Sequence, residues 1–301
     1  MGIAKEAFFL LGKLSLTKNF EGLNVLQLGR QSGIVSTRQI SKISKRLKLN
    51  LPHPMPTGTG FYRNYPEGDE LFRFLGFTSI DSLDVTDYEG ANVIADLNLP
   101  ISSELQKSYD LVYDGGTSEH VFNQLEVLSN VHKLLKVGGI IVHNTPANNL
   151  LDHGYVQPSP NFYLEYYAAN DYELVQGYLI ESTWDFFRKR RIFKYDKLAY
   201  NYLSYGGHWN SRMLQNWFAF RKTEESTYGK FPQQARYTEL LYLKSNPKPS
   251  ESSTYIKLRD FFRKNPKLMF FVLQTKHWAL KVLDLPNRYF SRRRPKTVYK
   301  V

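Results

Sequence analysis

Short apolar runs alternate with amphipathic stretches through the first 225 residues of the chain. Apolar runs bounded by glycine or proline predict buried strands, whereas apolar residues that recur every three or four positions predict helices. This alternation predicts an α/β domain with a mostly parallel sheet and helices on both faces. The predicted strands cover 24–28, 79–83, 92–95, 109–113, 140–143, 173–180 and 216–221, and the predicted helices cover 4–16, the residues from Ser36 or Thr37 to Leu47, 70–75, 118–136 and 160–169.

Two insertions and a tail depart from this alternation. Clustered prolines and glycines predict a long loop over 49–69, and 185–213 is an insertion rich in Tyr and Arg. In the tail, apolar spacing predicts helices near 233–243, 254–264 and 266–283, followed by a disordered end. We therefore predict a core domain over 1–225 and a basic, largely helical C-terminal extension over 226–301.

The formal net charge of +12 is concentrated in the extension. Residues 226–301 hold 17 Lys and Arg against 4 Asp and Glu, whereas residues 1–225 hold 23 against 24. A near-neutral core argues against a nucleic-acid clamp across its face. The extension itself predicts contact with an anionic membrane surface or another polyanion. The structural alternative is a helix that docks on the core through a stripe containing Leu268, Val272 and Leu283.

The chain contains no cysteine, which excludes disulfides and thiolate metal sites. No secretory signal and no run of about 18 apolar residues is present, so we expect a cytoplasmic protein, with attachment to the inner membrane face as a variant. No metal-ligand cluster stands out in the sequence, and we predict none.

Five segments place glycines and acidic residues where predicted strands end. They are Val25–Gly33, Leu83–Val85, Ala95–Asn98, Tyr109–Val121 and Leu134–His143. Ligands of open parallel sheets bind at the carboxyl ends of the strands. A glycine there lets a ligand approach the backbone closely, and an acid there can accept two ribose hydroxyls.

Taken together, the five segments resemble class I S-adenosylmethionine-dependent methyltransferases, over about residues 20–222. The resemblance implies a Rossmann-like fold with seven strands, S-adenosyl-L-methionine as cofactor and S-adenosyl-L-homocysteine as product. Gln27 stands where the family usually has an acid, and Gln31 replaces its middle glycine. The Gln27 amide would then bind the ligand's amino group without a charge. The cofactor-binding residues implied by the resemblance are Gln27, Gly29, Gln31, Gly33, Asp84, Asp96, Leu97 and Asp114.

The resemblance also implies methyl transfer to an oxygen or nitrogen of a small-molecule or saccharide acceptor, as in a bacterial branch associated with surface sugars or secondary metabolism. His153, in a polar loop beside a glycine, is the main candidate for the catalytic base, and His120 is the second. His143 lies inside a strand, so we expect an interior histidine. An RNA or DNA methyltransferase that uses the basic extension, and a non-catalytic Rossmann-like binding module, are the alternatives.

Overall fold

The structure is a computed structural model that describes residues 2–57, 64–182, 191–195, 213–233 and 297–300, together with residues 261, 265, 268, 271 and 275. The chain divides into two compact units. One contains residues 1–197, 209–231 and 296–301, and the other contains 198–208 and 232–295. Within the described ranges, no helix combines the length and the apolar character that a membrane crossing requires.

The described residues of the first unit form twelve strands, ten of which belong to one sheet. The strands are β1 (Ile3–Ala4), β2 (Asn24–Leu28), β3 (Gly33–Ile34), β4 (Ser79–Asp84), β5 (Val93–Ile94), β6 (Tyr109–Asp114), β7 (Leu135–His143), β8 (Pro146–Asn148), β9 (Glu173–Ser182), β10 (Arg191–Lys194), β11 (Met213–Arg221) and β12 (Thr297–Lys300). The sheet has the order β12-β10-β9-β11-β7-β6-β2-β4-β5, and β8 adds to β11.

Seven of these strands correspond to the seven predicted from the sequence. Strands β5, β4, β2, β6 and β7 run parallel, whereas β11 runs antiparallel between β7 and β9. The predicted Rossmann-like, mostly parallel α/β fold is therefore confirmed. The chain moves from β2 outward to β4 and β5 and then crosses back to β6, so the strand order reverses between β2 and β6. In open α/β sheets, such a switch point is where ligands bind.

Helices cover both faces of the sheet, as predicted. Alternate side chains of a strand point to opposite faces. Trp217 and Ala219 of β11 join the core formed with the first three helices, whereas Phe220 stacks on Tyr167 of the last helix, with 4.2 Å between ring centroids. The helices are α1 (Lys5–Ser15), α2 (Thr37–Leu47), α3 (Gly68–Phe74), α4 (Gln124–Leu134) and α5 (Pro160–Ala169).

The prediction of one helix over 118–136 is wrong at both ends. Ser118–His120 forms a separate 3-10 turn, and α4 begins only after Asn123, whose side chain caps it by accepting from the Glu126 amide at 3.3 Å. At the other end, Leu135 already pairs with Tyr109 as the first residue of β7. The separate turn matters because it places Glu119 and His120 at the carboxyl end of β6.

The division between a core over 1–225 and an extension over 226–301 stays a prediction, and hydrogen bonds cross the predicted boundary. Asn170 is buried, and its side-chain oxygen accepts from Thr227 Oγ1 at 2.9 Å and from the Lys230 amide at 3.0 Å, so the chain stays attached to the first unit beyond residue 225. The segment expected to be disordered, 291–296, lies outside the described residues. It is followed by β12, in which Tyr299 pairs with Ile192 of β10 and packs 4.9 Å from the ring of Phe9.

In the second unit, the described residues Phe261, Leu268, Phe271 and Thr275 have helical backbone, as predicted. The rest of the predicted extension helices lies outside the described residues. So does most of the 185–213 insertion, of which the described part contains β10.

Candidate functional site

The turn after β2 requires glycine for two reasons. Gly29 has a φ of +65°, in the left-handed region that other residues rarely adopt. A Cβ at this position would also lie 2.4 Å from Thr117 Oγ1, which donates to the Leu28 carbonyl at 2.6 Å. The ends of β2 and β6 are thereby held in close contact at the switch point.

Two buried glutamines hold the loop that follows. Gln27 Nε2 donates to Asp69 Oδ1 at 2.6 Å, and Gln27 Oε1 accepts from the Gln31 amide at 3.3 Å. Gln31 Nε2 donates to the carbonyl oxygens of Leu28 and Gly29 at 3.0 and 3.1 Å. The Gln27 amide is thus engaged by Asp69, and its predicted contact with a ligand stays a prediction. Gln31 Oε1 is buried and has no hydrogen-bond partner, so of the two side-chain amides it is the one whose oxygen can still accept a hydrogen bond.

Gly33 has a packing role that the sequence did not indicate. It lies in β3, and a Cβ there would come within 2.0 Å of the Pro66 carbonyl oxygen. The neighbouring Gly68 amide donates to the Gln31 carbonyl at 2.9 Å, and Arg30 forms an ion pair with Asp69 at 3.4 Å. The close approach at Gly33 is thus to the segment before α3, and its predicted contact with a cofactor stays a prediction.

The acidic residues after β4 and β5 lie at the same edge of the sheet. Asp84 is half-buried and uses Oδ1 to accept from the Val85 amide at 2.7 Å, while its second oxygen has no hydrogen-bond partner in the described part of the chain. Asp96 is exposed and accepts from the Asn98 amide at 2.8 Å, and Leu97 is buried. These positions are compatible with the contacts expected from the sequence, which stay predictions.

Asp114, in contrast, belongs to a fully buried network. Its Oδ2 accepts from Ser118 Oγ at 2.5 Å and lies 2.8 Å from His143 Nδ1, and its Oδ1 accepts from the backbone amides of Thr117 and Ser118. Tyr167 continues the network, with its hydroxyl 2.8 Å from His143 Nε2. His143 is thus confirmed as an interior histidine, whereas both oxygens of Asp114 are engaged within the protein and its contact with a cofactor stays a prediction.

This network stabilises the carboxylate form of Asp114. Burial alone would raise the pKa of Asp114, but the hydrogen bond and charge of His143, with the hydrogen bonds from Ser118, hold that pKa below its ordinary value. A buried ionised group is tolerated only when it is paired and hydrogen-bonded in this way. Asp114 therefore anchors the carboxyl end of β6 to β7 and α5.

A second cluster lies directly after this anchor, where both catalytic candidates meet a residue the sequence did not single out. Glu119 is completely buried, and its Oε1 lies 3.4 Å from His153 Nε2 and 4.0 Å from His120 Nε2. The two imidazole rings lie 5.0 Å apart in an edge-to-face arrangement. The contact at 3.4 Å lacks hydrogen-bond geometry, because both Glu119 oxygens and His153 Nε2 are without hydrogen-bond partners.

The close approach of the loop after β8 explains how His153 reaches Glu119. The Glu119 carbonyl accepts from the Tyr155 amide at 2.8 Å, and a Cβ on Gly154 would lie 2.7 Å from that carbonyl oxygen. Glycine next to His153 was therefore a usable sequence signal. The burial of Glu119 could not be predicted from the sequence, because a Glu in the first turn of a predicted helix is ordinarily exposed.

Burial sets the protonation of the cluster. It raises the pKa of Glu119 to about 8, with a further contribution from the nearby charge of Asp114. Burial also lowers the pKa of both His120 and His153, and in His153 the neighbouring His120 adds to the effect. The imidazoles are therefore neutral near pH 7, in the form that accepts a proton or binds a metal ion.

No family model and no curated protein matches the chain. Among solved structures, it is similar to TehB from Haemophilus influenzae (15% identity, TM-score 0.36), a putative sarcosine dimethylglycine methyltransferase from Galdieria sulphuraria (13%, 0.40) and the O-methyltransferase from a trans-AT PKS multienzyme of Brevibacillus brevis in complex with S-adenosyl-L-homocysteine (11%, 0.39). These matches cover 70%, 73% and 83% of this chain, and 60%, 85% and 86% of the other chains. All three TM-scores lie below 0.5, so the resemblance supports no statement about a substrate of this chain.

Proposed function

We propose that this chain transfers a methyl group from S-adenosyl-L-methionine to an oxygen or nitrogen of a small-molecule or saccharide acceptor. The observation that carries the proposal is the carboxyl edge of the sheet at the switch point. There Asp84 and Gln31 present an unpaired carboxylate oxygen and a buried unpaired amide oxygen beside the left-handed turn at Gly29. This is the combination that a charged nucleoside requires.

The residues present fit the cofactor in part. Gln31 Oε1, which has no partner, would accept from the cofactor's ammonium group. Asp84 would accept the ribose hydroxyls through its open oxygen, and Asp96 and the Leu97 amide would meet the adenine. When bound, the cofactor supplies a methyl group activated by its sulfonium charge. Gln27 and Asp114 would act indirectly, because they hold the loop and the end of β6 in place.

The acceptor side is supported by the groups around Glu119. His153 and His120 are neutral, and either imidazole would take the proton of the acceptor. The protein would also hold the acceptor in position and exclude water from the reacting atoms. Phe122 and Tyr155 lie beside the cluster with ring centroids 5.8 Å apart, although 78% and 71% of their surfaces are exposed. An exposed aromatic pair at a polar site favours an acceptor with a flat or cyclic apolar face.

Cofactor binding is the first test. S-Adenosyl-L-homocysteine at 100 times its dissociation constant should stabilise the fold by about 2.7 kcal/mol, because a ligand selective for the folded state acts by mass action. The measurement is the melting temperature with and without ligand, with adenosine and methionine as controls. A folded sample whose melting temperature does not move at millimolar ligand would favour the non-catalytic binding module.

Substitution of Asp84 tests the proposed ribose contact. Asp84→Ala should weaken S-adenosyl-L-homocysteine binding by about 1.5–3 kcal/mol for each charged hydrogen bond lost. The matched control is Asp87→Ala, since Asp87 is an exposed acid in the same loop. Calorimetry that finds equal affinity in both variants and the wild type would show that the ribose lies elsewhere.

The extension supports the second candidate, a nucleic-acid acceptor. The extension has 17 basic residues against 4 acidic ones, and these basic side chains would contact phosphates. The core has no comparable excess of positive charge. We propose an anionic partner for the extension, either a membrane surface or a polyanion. Binding to RNA that falls steeply with salt would favour an RNA methyltransferase, and binding to vesicles of anionic lipid alone would favour the peripheral membrane alternative.

A further inference from the structure

Glu119, His120 and His153 bring one carboxylate and two imidazoles together at the carboxyl end of β6. Their ligand atoms all lie within 4.8 Å of one another, and among the described residues this is the one group of three that could hold a metal ion. We propose that these three side chains bind a divalent transition-metal ion of the zinc class. The proposal departs from the sequence-based expectation of no metal.

The strongest support is the condition of Glu119. Its side chain is fully buried, and neither carboxylate oxygen has a hydrogen-bond partner. A buried carboxyl group without partners is costly, and such groups are normally paired or bound to a metal. His153 Nε2, which Glu119 Oε1 faces at 3.4 Å, is likewise buried and without a hydrogen-bond partner. The two atoms thus face each other across the same small space without a hydrogen bond between them.

The distances suit a metal ion. Zinc binds histidine nitrogen and carboxylate oxygen at about 2.0–2.1 Å, so two ligands of a tetrahedral site lie about 3.4 Å apart. The distance from Glu119 Oε1 to His153 Nε2 has this value, and the 4.0 Å to His120 Nε2 requires only a small closing movement. His120 is the most exposed of the three, with 48% of its side chain accessible, so it has room to move and an ion can enter beside it.

The ligand set also selects the metal. Two imidazoles and one carboxylate suit zinc or ferrous iron, whereas magnesium and calcium prefer oxygen ligands. Three protein ligands leave at least one position open, as in catalytic zinc sites. That position would bind an acceptor hydroxyl and lower its pKa, and the proton would pass to solvent. A metal on His153 Nε2 occupies the lone pair that a base needs, so this arrangement replaces the role of His153 as a base.

The role given to the open position rests on the proposed methyl transfer, but the metal site itself does not, and metal binding can be measured without any cofactor. The experiment uses the full untagged chain, stripped with a chelator, and titrates zinc by calorimetry while mass spectrometry counts bound metal. We expect about one zinc per chain and a higher melting temperature in the zinc-bound form. Magnesium in the same titration should give no saturable binding.

Three single variants and one control locate the site. His120→Ala, His153→Ala and Glu119→Gln should each weaken zinc binding more than about 100-fold, since even outer groups around a metal cost about 10–100-fold when removed. His53→Ala removes a histidine in a loop that is distant in sequence from the three ligands, and this variant should bind zinc as the wild type does. His120→Ala is the safest test of folding because the side chain is half exposed.

Circular dichroism of each variant would verify its fold before titration. The proposal is overturned if the stripped protein takes up no zinc, if folded His120→Ala and His153→Ala bind it as tightly as the wild type, or if magnesium binds equally well through the same residues. Zinc binding with no response to S-adenosyl-L-homocysteine would leave the metal site standing and reject the methyltransferase.

Discussion

Replacing Asp114 with alanine should lower the free energy of unfolding by about 3–5 kcal/mol, because several buried groups lose the acceptor they share and each unsatisfied buried donor costs about 1–3 kcal/mol. The substitution leaves His143 Nδ1, Ser118 Oγ and two backbone amides without the acceptor they share. Chemical denaturation followed by tryptophan fluorescence measures the loss, since Trp217 is buried in the same sheet. Asp84→Ala, the same change at the end of β4, should cost less than about 0.5 kcal/mol because Asp84 is half exposed.

The same network predicts the response to acid. The folded-state pKa of Asp114 is lowered, so its contribution is fully present above the unfolded pKa of about 3.9 and is lost as pH falls through the folded value. The wild type should therefore lose stability below about pH 4, and Asp114→Asn should show a shallower loss over that range. Equal acid sensitivity of the two proteins, measured by denaturation at several pH values, would assign the effect to other carboxylates.

Gly29→Ala should be the most damaging glycine substitution in the site. A left-handed backbone costs a non-glycine residue about 1–2 kcal/mol. The new Cβ would also meet Thr117 Oγ1 at 2.4 Å, and overpacking of this kind costs about 1–3 kcal/mol more. Because the clash separates the ends of β2 and β6, binding of S-adenosyl-L-homocysteine should weaken together with stability.

Gly22 provides the matched control for this prediction. Its φ is +79°, and a Cβ there would meet nothing within 4 Å, so Gly22→Ala isolates the backbone cost. Adding Thr117→Ala to Gly29→Ala removes the clashing oxygen and should recover part of the loss in a double-mutant cycle. If the double variant is no more stable than the sum of the single effects predicts, the contact between Gly29 and Thr117 is not the cause.

Most of the fold follows from local pattern. Strands β2, β6 and β7 each contain a short apolar run that ends at or before a glycine or a polar residue, and α2 carries its own start signal in the reciprocal hydrogen bonds of Ser36 and Gln39. The helix predicted over 118–136 failed because Asn123 offers a competing cap within it. The strand at 297–300 could not be predicted, since its partner lies more than 100 residues earlier and pairing at that distance leaves no local signal.

The candidate site was less predictable than the fold. From position in the chain, Gly29, Asp84 and His153 were expected near the carboxyl edge of the sheet, because the carboxyl ends of parallel strands meet there. It could not show that Gln27 turns to Asp69 or that Asp114 turns to His143, since both contacts join segments far apart in sequence. The cluster around Glu119 could not be predicted for the same reason. It forms only because backbone hydrogen bonds hold the loop after β8 against the turn that contains Glu119.

The pairing of β12 with β10 also bears on the order of folding. Its partners, such as Arg191 with Lys300, are separated by more than 100 residues, and closing a loop of that length costs on the order of 4 kcal/mol in chain entropy. The central strands β2 and β6, in contrast, are buried on both faces. Native-state hydrogen exchange should therefore find β12 opening at a much lower free energy than β2 and β6, as the last strand added to the sheet and the first released from it.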